Sequence, residues 1–274
     1  MGKIETHKKD FQDIFQKLLQ SKDQNQINKY IIENCCLPGR RANLEMAFAF
    51  SDILLELPKE FDDILWILLN NWINISAQTA PTNNPKEFLS FCGTIGLGSY
   101  FLRKTAFKNE ILIHLRMLAN DSRWRIREAV AMALWKIVQS DPNNILEQFN
   151  SWLESKNWFE MRALAAGLAE PKILKDKIFA KKVLLFYKEI LNIISEAKHE
   201  ERKSESFKIM RKGLGYCLSV VVKEIPETGF SFMEELASMD NIDIKWILKE
   251  NLKKNRLIKN FPQKVSYIKK LISN

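Results

Sequence analysis

Apolar residues along this chain recur three and four positions apart, and almost no stretch shows the strict alternation of a half-buried strand. Phe11, Ile14, Phe15, Leu18 and Leu19 form such a stripe on an N-terminal helix. A second, short helix is predicted to end near Cys36, before the turn residues Leu37-Pro38-Gly39. Asn43 to Leu57 reads as the next helix, stopped by Pro58. Glu60 to about Ser76 follows, with Phe61, Ile64, Leu65, Leu68, Leu69 and Trp72 on its buried side. Ala80 to Pro85 is the clearest loop. After it come a helix containing Gly93, Gly96 and Gly98, one near Phe107 to Leu118, and one from Arg123 to Gln139 capped by Asp121-Ser122. Asp141-Pro142 opens a helix that ends near Leu153. Trp158 to Ala169, Asp176 to Glu196, Ser206 to Lys223, Asp243 to Ile258 and Phe261 to Ile272 complete the series. The charged stretch Glu196 to Glu205 is expected as an exposed helical extension or a loop.

One local pattern recurs six times: a basic or long residue stands four places before a small one. The small positions are Ala49, Gly93, Ala131, Ala166, Gly215 and, by register, Lys253. By subtraction their spacings are 44, 38, 35, 49 and 38 residues. Each unit reads as a helix, a turn and a second helix that carries the small residue. Such a hairpin cannot bury its apolar face alone, so neighbours must stack. The last unit has Lys253, Lys254 and Arg256 where others are small or apolar, as a terminal cap would. The expectation is one domain over 1–274, with capping helices at about 1–36 and 259–274.

The run Asp121-Ser122-Arg123-Trp124-Arg125-Ile126-Arg127-Glu128-Ala129-Val130-Ala131, and later Asp243 to Leu252, resembles the HEAT-like helical repeats. The resemblance extends over most of the chain. It implies an all-α, right-handed superhelix (solenoid) of about six HEAT-like two-helix repeats. In that family an acidic residue at the inter-helix turn and a basic one six positions on form a ladder between repeats. Asp121/Arg127, Glu205/Arg211 and Asp243/Lys249 keep this spacing, which implies a structural role for them. The Lys156/Arg162 unit breaks it, and the two N-terminal units lack it.

Composition narrows function without naming it. The chain is 46% hydrophobic and 11% aromatic, which excludes disorder over most of its length. Lys and Arg number 42 against 33 Asp and Glu, a net charge of +9. That balance is compatible with an anionic partner but does not require one, since the charge is spread along solvated helix faces. Cys35, Cys36, Cys92 and Cys217 have no C-x-x-C spacing. They read as reduced thiols, and with the polar N-terminus they point to the cytoplasm. Apolar windows such as Ile64 to Leu69 are too short to cross a bilayer, so no membrane contact is expected.

Enzymatic signatures are sparse. Gly93, Gly96 and Gly98 lack the preceding strand or terminal Lys-Ser/Thr of a phosphate loop and read as helix-packing positions. His7, His114 and His199 are far apart in sequence, and no metal-ligand spacing or bound cofactor is implied. The richest chemistry is Arg123-Trp124-Arg125, with Trp158 downstream, because guanidinium groups beside indoles suit phosphate contact and base stacking. Among HEAT-like folds, the alkylpurine DNA glycosylases use an Asp four residues after a Trp. Here Trp124/Glu128 and Trp246/Glu250 are the nearest equivalents, with Glu for Asp and no preceding Asn. Glu128 is therefore the carboxylate an enzymatic reading would use. The binding candidates are Arg40, Arg41, Arg123, Trp124, Arg125, Trp158, Lys208 and Lys212. Two readings remain open. One is a non-enzymatic scaffold that binds a protein or peptide on a concave helical face. The other is a nucleic-acid-binding protein or DNA-repair glycosylase acting on alkylated bases.

Overall fold

The computed structural model describes residues 2–273, apart from the side chains of residues 105, 143 and 273. It is all-helical, with sixteen α-helices and no strand among the described residues. The chain divides into two compact units, 1–140 and 141–274.

The first unit contains α1 (Lys3–Ser21), α2 (Asn25–Asn34), α3 (Leu44–Glu56), α4 (Asp62–Ile73), α5 (Glu87–Arg103), α6 (Lys108–Ala119) and α7 (Trp124–Ser140). Short 3₁₀ turns at Lys59–Phe61 and Thr105–Phe107 lead into α4 and α6. Helices α1, α3, α5 and α7 lie side by side in chain order. A second layer is built from α4 against α5, α6 against α5 and α7, and α2 against α1 and α5. Between α1, α3 and α4 sits an aromatic cluster in which Phe50 meets Phe11 at 5.5 Å, Phe15 at 6.2 Å and Trp72 at 5.2 Å. Every residue of α5 from Glu87 to Phe101 is buried, which explains why that helix reads as apolar on all sides.

Small residues in α5 let helices approach closely: a Cβ added at Gly93, a member of the recurrent pattern, would lie 3.0 Å from Trp72 Cβ. A Cβ at Gly96 would lie 2.6 Å from Leu69 Cδ2, and one at Gly98 would lie 2.8 Å from the Ala133 carbonyl oxygen in α7. The glycine cluster is thus spent on packing within and between layers. Polar rungs run along the same layer. Lys136 of α7 donates to Ser51 Oγ at 2.9 Å, Asp52 Oδ1 at 2.8 Å and Ser99 Oγ at 3.0 Å, joining α3, α5 and α7. Arg103 donates to Asp62 and to the carbonyls of Leu54 and Leu57, while Lys104 lies 2.9 Å from the same carboxylate. Burial would raise the Asp62 pKa, but the bonds from Lys104 and Arg103 outweigh it, and the net shift is downward.

The second unit contains α8 (Pro142–Glu154), α9 (Trp158–Leu168), α10 (Lys177–Ser195), α11 (His199–Lys203), α12 (Glu205–Glu224), α13 (Pro226–Ala237), α14 (Ile242–Asn251), α15 (Asn255–Ile258) and α16 (Pro262–Ser273). Its helix starts are capped by side chains of Asp141, Asn157, Asp176, Ser204 and Asn241, each accepting backbone N–H bonds. Helices α9, α12 and α14 lie side by side, with α8, α10 and α13 packed around them and α16 against α13 and α15. Gly215 of α12 admits Trp246 and Glu250 of α14, whose nearest atoms would be 3.2 and 3.1 Å from an added Cβ. Asn251 ties the same helices, accepting from Ser219 N at 2.7 Å and donating to Leu214 O at 2.8 Å.

The expected ladder pairs form differently. Asp121 gives its carboxylate to Arg123, with contacts at 2.9 and 2.7 Å. Arg127 instead donates to the backbone carbonyls of Asp121 at 2.6 Å and Ser122 at 3.0 Å. Helical side chains lean toward the N-terminus, so Arg127 reaches the turn's carbonyls while Arg123 already occupies the acid. Asp243 is 1% exposed and receives Arg211 from α12 and Arg202 from α11. Its partners thus come from earlier elements rather than from Lys249, which is exposed, as is Glu205. The charged stretch expected as an extension or a loop is a separate helix, α11, anchored through Arg202.

Two outcomes test this packing. Gly98→Ala is expected to destabilise by about 1–3 kcal/mol, because backbone atoms cannot move aside. Gly213→Ala, which meets only the Arg162 side chain at 3.3 Å, is expected to be neutral or stabilising, by up to about 1 kcal/mol of helix propensity. Equal urea midpoints for the two variants would contradict the close α5–α7 approach. Asp62→Asn should cost on the order of 3 kcal/mol at neutral pH. Since the folded pKa of Asp62 is lowered, its contribution is complete above the unfolded value of about 3.9 and fades as pH falls through the folded value. The gap between wild type and Asp62→Asn in thermal melts should therefore close below about pH 4.

Candidate binding cleft

The site is built around a loop and the first turn of α7. After α2 the backbone turns through Cys36, whose φ of 62° is left-handed. Gly39 follows where an added Cβ would stand 2.6 Å from the Cys36 carbonyl oxygen, so this turn excludes a side chain there. Asn43 N closes the loop on Cys35 O at 3.0 Å, and the Asn43 side chain caps α3 by accepting from Met46 N.

Arg125 holds this loop. Its guanidinium donates to Gly39 O at 2.9 Å, to Asn83 Oδ1 at 3.3 Å and to Glu87 Oε2 at 3.2 Å. Glu87 Oε2 also accepts the Asn83 N–H at 2.7 Å, and Asn83 Oδ1 accepts the Gly39 N–H at 3.0 Å. Arg125 is 5% and Glu87 0% exposed at the side chain. One buried ion pair therefore joins the 36–43 loop, the 80–85 loop, α5 and α7. The same guanidinium stacks 4.5 Å from the Trp124 ring centroid, leaving that indole 47% exposed.

Beside these groups opens a cleft of about 1090 Å³. Trp124, Glu128 and Met132 line it at successive turns of α7, with Phe91 of α5 next to them. Lys3 and His7 of α1 and Leu44 and Glu45 of α3 also line it, and the loop contributes Cys36, Arg40 and Arg41. Arg40 and Arg41 are exposed, and among the described residues neither has an ion-pair partner. Lys3 lies 3.7 Å from Glu45. Counting Lys3, Arg40, Arg41 and Arg125 against Glu33, Glu45 and Glu128, the lining is four basic to three acidic residues. It is mixed rather than a basic groove.

His7 enters the cleft through a relay that carries no local sequence signature. Tyr30 spends its one hydroxyl hydrogen on Asp10 Oδ2 at 2.7 Å. His7 Nδ1, 2.7 Å from the same phenol oxygen, must then donate to it. In the neutral ring this leaves Nε2 as an acceptor, 3.4 Å from Asn43 Nδ2. Burial first, then the Asp10 bond and charge, push the Tyr30 pKa well up, so the phenol keeps its proton. These partners stand 20, 23 and 36 residues apart, beyond any local sequence pattern.

The structure brings together Arg40, Arg41, Trp124, Arg125 and Glu128. It removes Arg123, which is 2% exposed and bonded to Asp121, Ala80 O and Ser90 Oγ. A guanidinium held this way has no face for phosphate. Trp158 is likewise no stacking platform: it is 8% exposed and packs edge-on against Phe207 at 4.9 Å. Lys208 and Lys212 are exposed on α12 of the second unit. That unit repeats part of the arrangement: Arg211 pairs with Asp243 and stacks 4.5 Å from Trp246. A smaller cleft of about 380 Å³ there is lined by Trp246, Glu250, Lys249 and Lys253.

No protein-family model, curated protein or solved structure is significantly similar to this chain. No helix among the described residues is long and apolar enough to cross a membrane.

Removing one member of the buried pair should be costly. Arg125→Met is expected to lose about 3–5 kcal/mol, and Arg125→Met with Glu87→Leu markedly less, because the double variant leaves no lone buried carboxylate. Chemical unfolding of both variants checks this. A double variant no more stable than the single one would show that the cost comes from the lost bonds to the two loops rather than from a lone buried carboxylate.

Proposed function

We propose that this chain is a HEAT-like helical-repeat protein of the cytoplasm that acts as a non-enzymatic binding scaffold for a protein or peptide. The side-by-side packing of α1, α3, α5 and α7, and of α9, α12 and α14, supports the repeat reading. One observation carries the binding reading: a half-exposed indole, Trp124, and two exposed guanidinium groups share an open cleft on a loop fixed by a buried ion pair. Aromatic and Arg side chains on a rigid frame are the groups that dominate protein interfaces. The mixed lining suits a peptide, whose charges vary along its length, better than a polyanion.

A second reading rests on the same wall. Trp124 lies one helical turn from Glu128 and shares the cleft with Arg40 and Arg41. That grouping would suit a stacked base, a phosphate and a carboxylate near the sugar, as in a DNA-binding protein or a glycosylase for alkylated bases. Phosphate contacts would make such binding steeply salt-dependent. The scaffold reading expects neither tight DNA binding at physiological salt nor release of alkylated base. Fluorescence anisotropy with duplex and single-stranded DNA across a salt series, with an assay for released base, separates the two. Micromolar or tighter binding that Trp124→Ala abolishes, or base release that Glu128→Gln abolishes, would replace the scaffold reading with the second.

A further inference from the structure

We infer that the cleft of the first unit seats a phosphorylated side chain of a peptide on Arg40 and Arg41, with an apolar neighbour of that residue against Trp124. This inference rests on the peptide-binding reading and adds the chemistry of the ligand. Most of the charges lining the cleft are already compensated. Glu45 faces Lys3 at 3.7 Å, Glu33 faces Lys29 at 3.9 Å, and Arg125 is held by Glu87 at 3.2 Å. Glu128 is engaged as well. Arg40 and Arg41 are left: both are exposed, and among the described residues neither has an ion-pair partner. The cleft therefore presents two uncompensated positive charges on consecutive residues.

A phosphate monoester carries about −1.5 to −2 at neutral pH, which matches that pair, whereas a side-chain carboxylate cancels one charge and leaves the other. Guanidinium forks also suit phosphate oxygens, which accept several charge-assisted bonds at once. A ligand with a phosphate at every position would find two unpaired cations in the cleft and no more. One phosphate in an otherwise uncharged segment is the better match. The loop is held on either side of the two arginines, at Gly39 by Arg125 and Asn83, and at Asn43 N by Cys35 O. Little backbone order then remains to be imposed on binding. The Arg125 guanidinium bonds Gly39 O at 2.9 Å and lies 4.5 Å from the Trp124 ring centroid, so the loop and the indole flank the same group. With nearly half its surface open, Trp124 offers apolar contact close to the anion seat.

The test uses the full chain and fluorescein-labelled heptapeptide pools with phosphoserine at the centre and one Phe at a varied flanking position. Matching pools carry serine or glutamate at the centre, and single-stranded oligothymidylate and inorganic phosphate are the other probes. Anisotropy is expected to show the phosphoserine pool binding about tenfold more tightly than the serine pool, with the glutamate pool between them. Arg40→Ala with Arg41→Ala should remove that difference, and Trp124→Ala should weaken every pool. All three positions are exposed, and unchanged thermal melts would confirm intact folding. Equal binding of the phosphoserine and serine pools would overturn the phosphate seat while leaving the peptide-binding reading in place. Inorganic phosphate that displaces the phosphoserine pool as effectively as unlabelled phosphopeptide does would overturn the apolar contact. No binding of any pool would overturn both readings, as would oligothymidylate binding more tightly than the phosphoserine pool.

Discussion

The arrangement of the first unit's cleft depends on one interaction, the buried pair between Arg125 and Glu87. Burying two charges is expensive, and their attraction offsets more of the cost as the remaining donors and acceptors are bonded. Here the Arg125 fork reaches the Gly39 carbonyl and the Asn83 side chain, while Glu87 Oε2 takes the Asn83 N–H and Glu87 Oε1 is buried without a hydrogen-bond partner among the described residues. The pair thereby fixes two loops that have no regular structure of their own. Without it the 36–43 loop would keep its Asn43–Cys35 and Gly39–Asn83 bonds but lose the one from Arg125, and Trp124 would lose the guanidinium stacked on its ring.

The helical layers supply the rigid frame for that pair. Glycine at 96 and 98 brings α5 against α3, α4 and α7 closely enough that Lys136 can reach Ser51, Asp52 and Ser99 at once. The second unit uses the same chemistry. Arg211 stacks on Trp246 and meets the buried Asp243, while Arg202 reaches that carboxylate from a short helix of its own. An acid, an arginine and an indole meeting near the start of an inner helix thus recur in the two units. In both they join neighbouring helices, and the indole borders a cleft.

Much of the helical plan was legible because its signals are local. The stripe at Phe11 to Leu18, the Asn43 and Asp141 caps, and the prolines that end or open helices all act within a few residues. Periodicity predicts one helix through Asn255–Ile258, but the chain breaks at 252–254, a three-residue turn that barely disturbs that periodicity. The binding set was half legible. Arg-Trp-Arg marks chemistry, yet Arg123 and Arg125 on either side of the exposed Trp124 are both buried at the start of α7. Trp158 failed as a candidate for a similar reason: an indole on an amphipathic helix carries no local mark of which side it faces.

The sequence by itself determined the all-helical class and the small residues where helices meet, since periodicity and glycine content act through the backbone nearby. It also placed Arg40, Arg41, Trp124 and Glu128 among the residues with chemistry to offer. Only the tertiary structure decided that these four share one cleft, that His7 joins them through Tyr30 and Asp10, and that Arg125 is the latch. The contacts responsible join residues 38 and 86 positions apart. Pairing over such distances is set by how helices stack, and local sequence contains no record of it.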